Sequence, residues 1–150
     1  MRKTARVGIL FCTGGLAYNV IELLWRGHSH WSMFVVGGSC FHLVGKIGKG
    51  LRHKGVLAVA GVCSLTVTTV EYLSGCVVNR WLKWNVWDYS RMFANVGGQV
   101  CLLYSVLWGV LSLPAARLYA YLEGQMSAKG HTSQRGARAS QISRPNSTNR

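Results

Sequence analysis

Residues 70–91 read VEYLSGCVVNRWLKWNVWDYSR. A carboxylate, Glu71, sits inside a long apolar run that ends in an aromatic cluster. There Trp81, Trp84, Trp87 and Tyr89 interleave with Arg80, Lys83, Asp88 and Arg91. An acid at membrane depth followed by an aromatic belt marks a helix leaving a bilayer, with a candidate site beside it. Counting back from Arg80, Glu71 lies roughly 13 Å below the interface at helical rise.

Outward from this stretch the composition agrees. Apolar residues make up 49% of the 150 and charged residues only 14%, against roughly 25% charged in ordinary soluble domains. The net charge of +13 would point to nucleic acid in a soluble chain. Here the basic residues fall between and after apolar runs, the pattern of cytoplasmic loops on a membrane protein. No nucleic-acid partner is therefore expected. Cys12, Cys40, Cys63, Cys76 and Cys101 all lie within apolar runs without a CxxC pair. They read as small, reduced packing residues, and no metal or cofactor is expected.

Four apolar segments are expected to cross the membrane: residues 7–25, 31–48, 55–79 and 96–122. The basic start and Gly15-Leu16-Ala17 imitate a signal peptide, but three further apolar runs follow and no polar mature domain does. A polar turn, Arg26 to His30, suits an antiparallel hairpin, and Pro114 is tolerable late in the fourth span. From Glu123 the composition turns to Ser, Arg, Gln, Asn and Gly, so residues 123–150 are expected to form a disordered basic tail. The Asn146-Ser-Thr sequon would matter only in a glycosylating lumen. The fold class expected is thus all-α, a membrane bundle of four transmembrane helices with that tail.

Charge sets the expected orientation. Arg2, Lys3 and Arg6, then Lys46, Lys49, Arg52 and Lys54, then the six Lys and Arg from Arg117 onward share one side. Only Arg26, Arg80, Lys83 and Arg91 fall on the other. Both termini are expected to be cytoplasmic in a cell membrane.

Helices in lipid pack through small residues. Gly97, Cys101, Ser105 and Gly109 recur at four-residue spacing, as do Ala60, Ser64 and Thr68. Glu71 extends the second stripe and so is expected to point into the bundle. Gly14, Tyr18, Glu22 and Arg26 repeat likewise, which turns Glu22 inward with Arg26 one turn away as a ready ion pair. Glu71, Glu22, Asp88 and Tyr18 form the candidate intramembrane polar site. Its functional reading is a protonatable or cation-binding carboxylate along a pathway; its structural reading is a hydrogen bond within the bundle. Trp81, Trp84, Trp87 and Tyr89 read as interface anchors. His28 and His30 read as solvated turn residues rather than a pH or metal site, and His42 as a packed one. No nucleophile–base order, phosphate-cradling loop or metal motif occurs, so no enzymatic activity is expected.

Two segments resemble a known family. They are Gly15-Leu-Ala-Tyr-Asn-Val-Ile-Glu-Leu-Leu-Trp-Arg-Gly-His-Ser-His-Trp-Ser-Met-Phe34, and Glu71-Tyr-Leu-Ser-Gly with Trp87-Asp-Tyr-Ser90 through to Gly109. They are similar to small bacterial multi-pass membrane proteins described as ABC-transporter type IV permeases. The family pattern carries Arg where this chain has Gln99. The resemblance implies a permease-like transport component for a small solute, with any ATPase on a separate subunit. Four spans are few for a permease, which implies a homo-oligomer or a partner membrane protein. The other reading is a non-transporting adaptor that binds membrane partners and anionic lipid through its stripes and basic tail.

Overall fold

The computed structural model describes residues 3–142, with side chains through Ala128. Four helices alternate in direction: α1 (Lys3–Arg26), α2 (Trp31–Gly50), α3 (Val56–Gly75) and α4 (Leu102–Ile142). The helix of α3 continues as a π-helical turn over Cys76–Trp81. Between that turn and α4 the chain forms a compact loop closed by the antiparallel strands β1 (Asn95–Val96) and β2 (Val100–Cys101).

Three of these segments are long and apolar enough to cross a membrane: Lys3–Arg26, Val56–Trp81 and Leu102–Ala128. Their outer faces carry large apolar side chains, among them Leu57, Leu65 and Val110, at 87%, 71% and 60% exposure. Such a surface is stable only against lipid. Helix α2 differs because it packs extensively on each of the other three helices. Nine of its 20 residues are buried, and Gly37, Gly38, Gly45 and Gly48 each lie against a neighbouring helix, so its mean hydropathy need not be high.

The α1–α2 hairpin is held by a reciprocal arrangement. Residues 11–18 read FCTGGLAY and residues 34–41 read FVVGGSCF, the same F-x-x-G-G-x-x-aromatic pattern. Each glycine pair receives the aromatics of the other helix: Phe41 and Phe34 lie over Gly14 and Gly15, and Tyr18 and Phe11 over Gly37 and Gly38. A β-carbon on Gly15 would stand 2.6 Å from the Phe34 carbonyl oxygen, and one on Gly38 would stand 2.7 Å from that of Phe11. Backbone therefore approaches backbone through lost side chains, the usual basis of helix association in lipid. His30 closes the turn as the N-cap of α2, its Nδ1 accepting from the Ser32 amide at 3.3 Å.

Helices α3 and α4 meet along Ala60, Ser64 and Thr68. Ser64 donates to the Ser105 carbonyl at 2.6 Å and Thr68 to the Ser105 hydroxyl at 2.9 Å. Gly109 lets α4 close on Ala60 and Ser64. The fourth stripe starts later than its spacing predicts. Gly97 and Gly98 adopt left-handed φ of 58° and 70°, which turns the chain between β1 and β2. Gly97 thus lies against Arg80 and not in a helix, and Cys101 ends β2.

The α4 boundary also differs. The tail expected to begin at Glu123 is helical as far as Ile142. Its first turns are tied down by a Lys49–Glu123 ion pair and an Arg6–Ser127 hydrogen bond of 3.0 Å. Met126 also packs against Leu10, Phe41 and Tyr119. Composition alone hid these anchors because the partners lie on other helices. Residues 143–150, with the sequon, lie outside the described residues.

The loop over residues 82–101 is ordered by Asn79. Its amide donates to the Trp87 carbonyl at 3.0 Å and to Gln99 Oε1 at 2.9 Å, and its Oδ1 accepts from the Val86 amide at 2.7 Å. Trp87 is buried at 4% exposure and donates its indole N–H to the Gln99 carbonyl at 2.8 Å. Trp87→Phe keeps the ring but strands that buried carbonyl. A loss of about 1–3 kcal/mol is expected, read as a lower thermal midpoint in detergent.

Candidate functional site

All the groups that gather here come from one end of the bundle, opposite the Lys46–Lys54 loop. Helix α3 presents Glu71 inward at 4% exposure. Its Oε2 accepts the Trp108 indole N–H of α4 at 2.9 Å, and its Oε1 accepts the Tyr89 hydroxyl at 3.4 Å. Both donors are neutral. Among the described residues no cation bonds this carboxylate. Burial, and then the neighbouring carboxylate, push the Tyr89 hydroxyl well above its ordinary range, so it stays a donor.

Glu22, on α1, is buried too, at 7% exposure. Arg26 Nη1 lies 2.9 Å from its Oε1, and Ser29 donates to Oε2 at 2.6 Å. The second guanidinium nitrogen of Arg26 donates to the Val86 carbonyl at 2.9 Å. Arg26 thus ties α1 to the loop that covers Glu71. The i, i+4 spacing made the ion pair legible; the Val86 contact had no sequence signal.

Aromatic rings fill the space between the two carboxylates. Tyr18 stacks on Trp108 with centroids 5.5 Å apart, and Tyr89 stacks on Tyr104 at 4.7 Å. Trp25 donates to the Tyr104 hydroxyl at 3.2 Å. Trp108 was missed from sequence. Its signal was its position, because a tryptophan one residue before Gly109 on a packing face needs an acceptor for its N–H.

Three cavities meet this cluster. One of about 300 Å³ lies between α1 and α4, walled by Tyr18, Tyr89, Tyr104 and Trp108 and reaching Glu22 and Arg26. A second, of about 380 Å³, continues from Tyr18 and Trp108 toward Phe41 and Pro114. A smaller polar one, about 180 Å³, opens over Glu22 and Arg26 between His30 and Trp84. The Glu22–Arg26 pair borders both the polar cavity and the aromatic one.

One expected member of the site and two expected anchors are placed differently. Asp88 is exposed and accepts from the amide and hydroxyl of Ser90, which hold its carboxyl below the ordinary carboxylate range. It serves a local turn and does not reach Glu71. Trp87 is buried loop core, and Tyr89 touches the site, so neither projects as a surface anchor; Trp81 and Trp84 are exposed. His28 is exposed at the edge of the polar cavity, its Nδ1 lying 3.0 Å from the Arg26 carbonyl.

The family model described as "Putative ABC-transporter type IV" matches residues 9–133. The chain belongs to this family. The match takes in both carboxylates, the loop that seals Glu71 and α4 as far as residue 133. ABC-transporter type IV membership, with three helices long and apolar enough to span a bilayer, makes this a transporter-related membrane protein. No curated protein and no solved structure matches the chain.

Proposed function

We propose that the chain is the permease-like component of a transporter for a small solute, with Glu71 at the centre of its path. One observation carries this reading. A buried carboxylate, bonded among the described residues only by neutral donors, stands behind the Tyr89 and Trp108 rings that wall a cavity between helices. Placing a charge at such depth is costly by about 3 kcal/mol or more, and a purely structural acceptor would be served more cheaply by an amide. Glu22 and Arg26 form the polar mouth of the path.

On this reading all four helices cross the membrane, α2 doing so shielded by its neighbours. The alternation of the helices brings Lys3, Arg6, Lys46–Lys54 and Glu123 to one end, which the positive-inside rule makes cytoplasmic. The chain is not an enzyme. Energy comes from an ATPase on another subunit, and several copies or a second membrane protein complete the pore. Purification from native membranes in mild detergent, with mass spectrometry of what co-purifies, tests this directly. A recurring ATPase subunit is the expected result, and a bare homo-oligomer would contradict the ABC assignment.

A second reading has support of its own. Helix α4 has 41 residues, roughly 60 Å at helical rise, about twice the thickness of a bilayer core. A helix projecting so far suits an adaptor that holds a partner. Truncation after Ala128 leaves the Lys49–Glu123 and Arg6–Ser127 contacts in place. Loss of the co-purified partner with solute flux retained would favour the adaptor; retained partner and flux favour the permease.

A further inference from the structure

We propose that the fissure between α1 and α4 is a binding site for an amphiphilic organic cation, entered sideways from the membrane. The inference names the substrate class of the path described above and so rests on that reading.

Helices α1 and α4 touch far less than any other packed pair of helices here, which leaves the cavity of about 300 Å³ between them. Its outer rim is Ile21, Val110 and Leu111, apolar and exposed where lipid lies. Its inner wall is aromatic. Ring faces carry the negative part of the aromatic quadrupole and attract cations, more strongly when water is absent. Two of these rings, Tyr89 and Trp108, donate to Glu71. A hydrogen bond from a ring N–H or O–H to a carboxylate adds electron density to that ring. Glu71 therefore acts through the wall, giving the aromatic side of the cavity a negative field, and no cation among the described residues bonds that carboxylate. Arg26 lines the polar end of the cavity, where Glu22 and the Val86 carbonyl take up its guanidinium.

The same geometry argues against other occupants. A bare metal ion needs several oxygen ligands at close range, and here the Glu71 oxygens lie behind rings. An anion would meet ring faces, and the Arg26 guanidinium that could have held it is already taken up by Glu22. A neutral acyl chain fits the apolar rim but makes no use of the charge behind the wall. A cation whose charge is spread beneath apolar groups satisfies both the rim and the wall, and the Glu22–Arg26 pair gives it a route to the polar cavity beyond.

Two ions of one shape and opposite charge supply the test. The full chain in detergent is dialysed against tetraphenylphosphonium or tetraphenylborate, with empty micelles as reference. The cation is expected to bind at least tenfold more tightly than the anion. Glu71→Gln should weaken it about tenfold or more, and Val110→Trp, which fills the cavity from its rim, should abolish binding with the thermal midpoint unchanged. Equal binding of the two ions would reduce the fissure to a lipid groove and overturn the proposal. So would an unchanged affinity in Glu71→Gln, or binding that survives Val110→Trp. Failure here with an ATPase subunit still co-purifying sinks only the ligand class. Cation binding without any ATPase or flux keeps the site and sinks the transport reading.

Discussion

Gly38→Leu is expected to leave almost no folded protein extractable from the membrane. The added β-carbon would lie 2.7 Å from the carbonyl oxygen of Phe11 and 2.9 Å from its ring. A side chain can rotate away; a carbonyl oxygen in the middle of a helix cannot. The helices must separate, and every reciprocal contact between Gly14, Gly15, Gly37 and their aromatics loosens together. Ordinary overpacking costs about 1–3 kcal/mol, and this case exceeds that range because four interlocked positions move as one. Size-exclusion profiles in detergent would show loss of the monodisperse peak. Gly61→Leu is the matched control, since nothing stands within 4 Å of its β-carbon position, and its profile should match the parent.

The second large effect is at Glu71. Glu71→Lys turns two neutral donors, Trp108 N–H and Tyr89 O–H, toward an ammonium group that also donates. The buried charge then has no acceptor, and a lysine at the centre of a span costs about 3 kcal/mol on insertion scales before that mismatch is counted. Pulse-labelled protein should insert poorly and be degraded. Glu71→Gln differs because its amide oxygen still accepts one of the two hydrogen bonds in nearly the same volume. It should fold, with a midpoint within a few degrees of the parent, and fail in function. Equal damage from Lys and Gln would make Glu71 a structural residue.

Much of this was legible in the sequence, for particular reasons. Lipid imposes hydropathy on any helix that faces it, so α1, α3 and α4 announced themselves as long apolar runs. The i, i+4 spacing of Glu22 and Arg26, and of Ala60, Ser64 and Thr68, fixed faces because a helix has one period. The start of α4 was misplaced because Gly97 extends a four-residue stripe by coincidence, while its left-handed backbone serves a turn. The sealing loop was read as a belt of anchors. Its tryptophans look alike in sequence, yet Asn79, and Gln99 where the family pattern carries Arg, draw Trp87 inside and leave Trp81 outside. Topology puts Asp88 on the same side of the membrane as Glu22, and Ser90 two residues later takes it up instead. The paired F-x-x-G-G-x-x-aromatic segments were a signal present and unread.

One measurement bears most directly on whether the buried carboxylate serves transport. Vesicles reconstituted with the chain and any ATPase that co-purifies are incubated with ATP and a cell extract. Their lumenal small molecules are then profiled by mass spectrometry for the parent and for Glu71→Gln at equal oligomer size. At least one solute should accumulate with the parent and fall tenfold or more in the variant. Coinciding profiles, with both proteins folded, would contradict a transport role for Glu71.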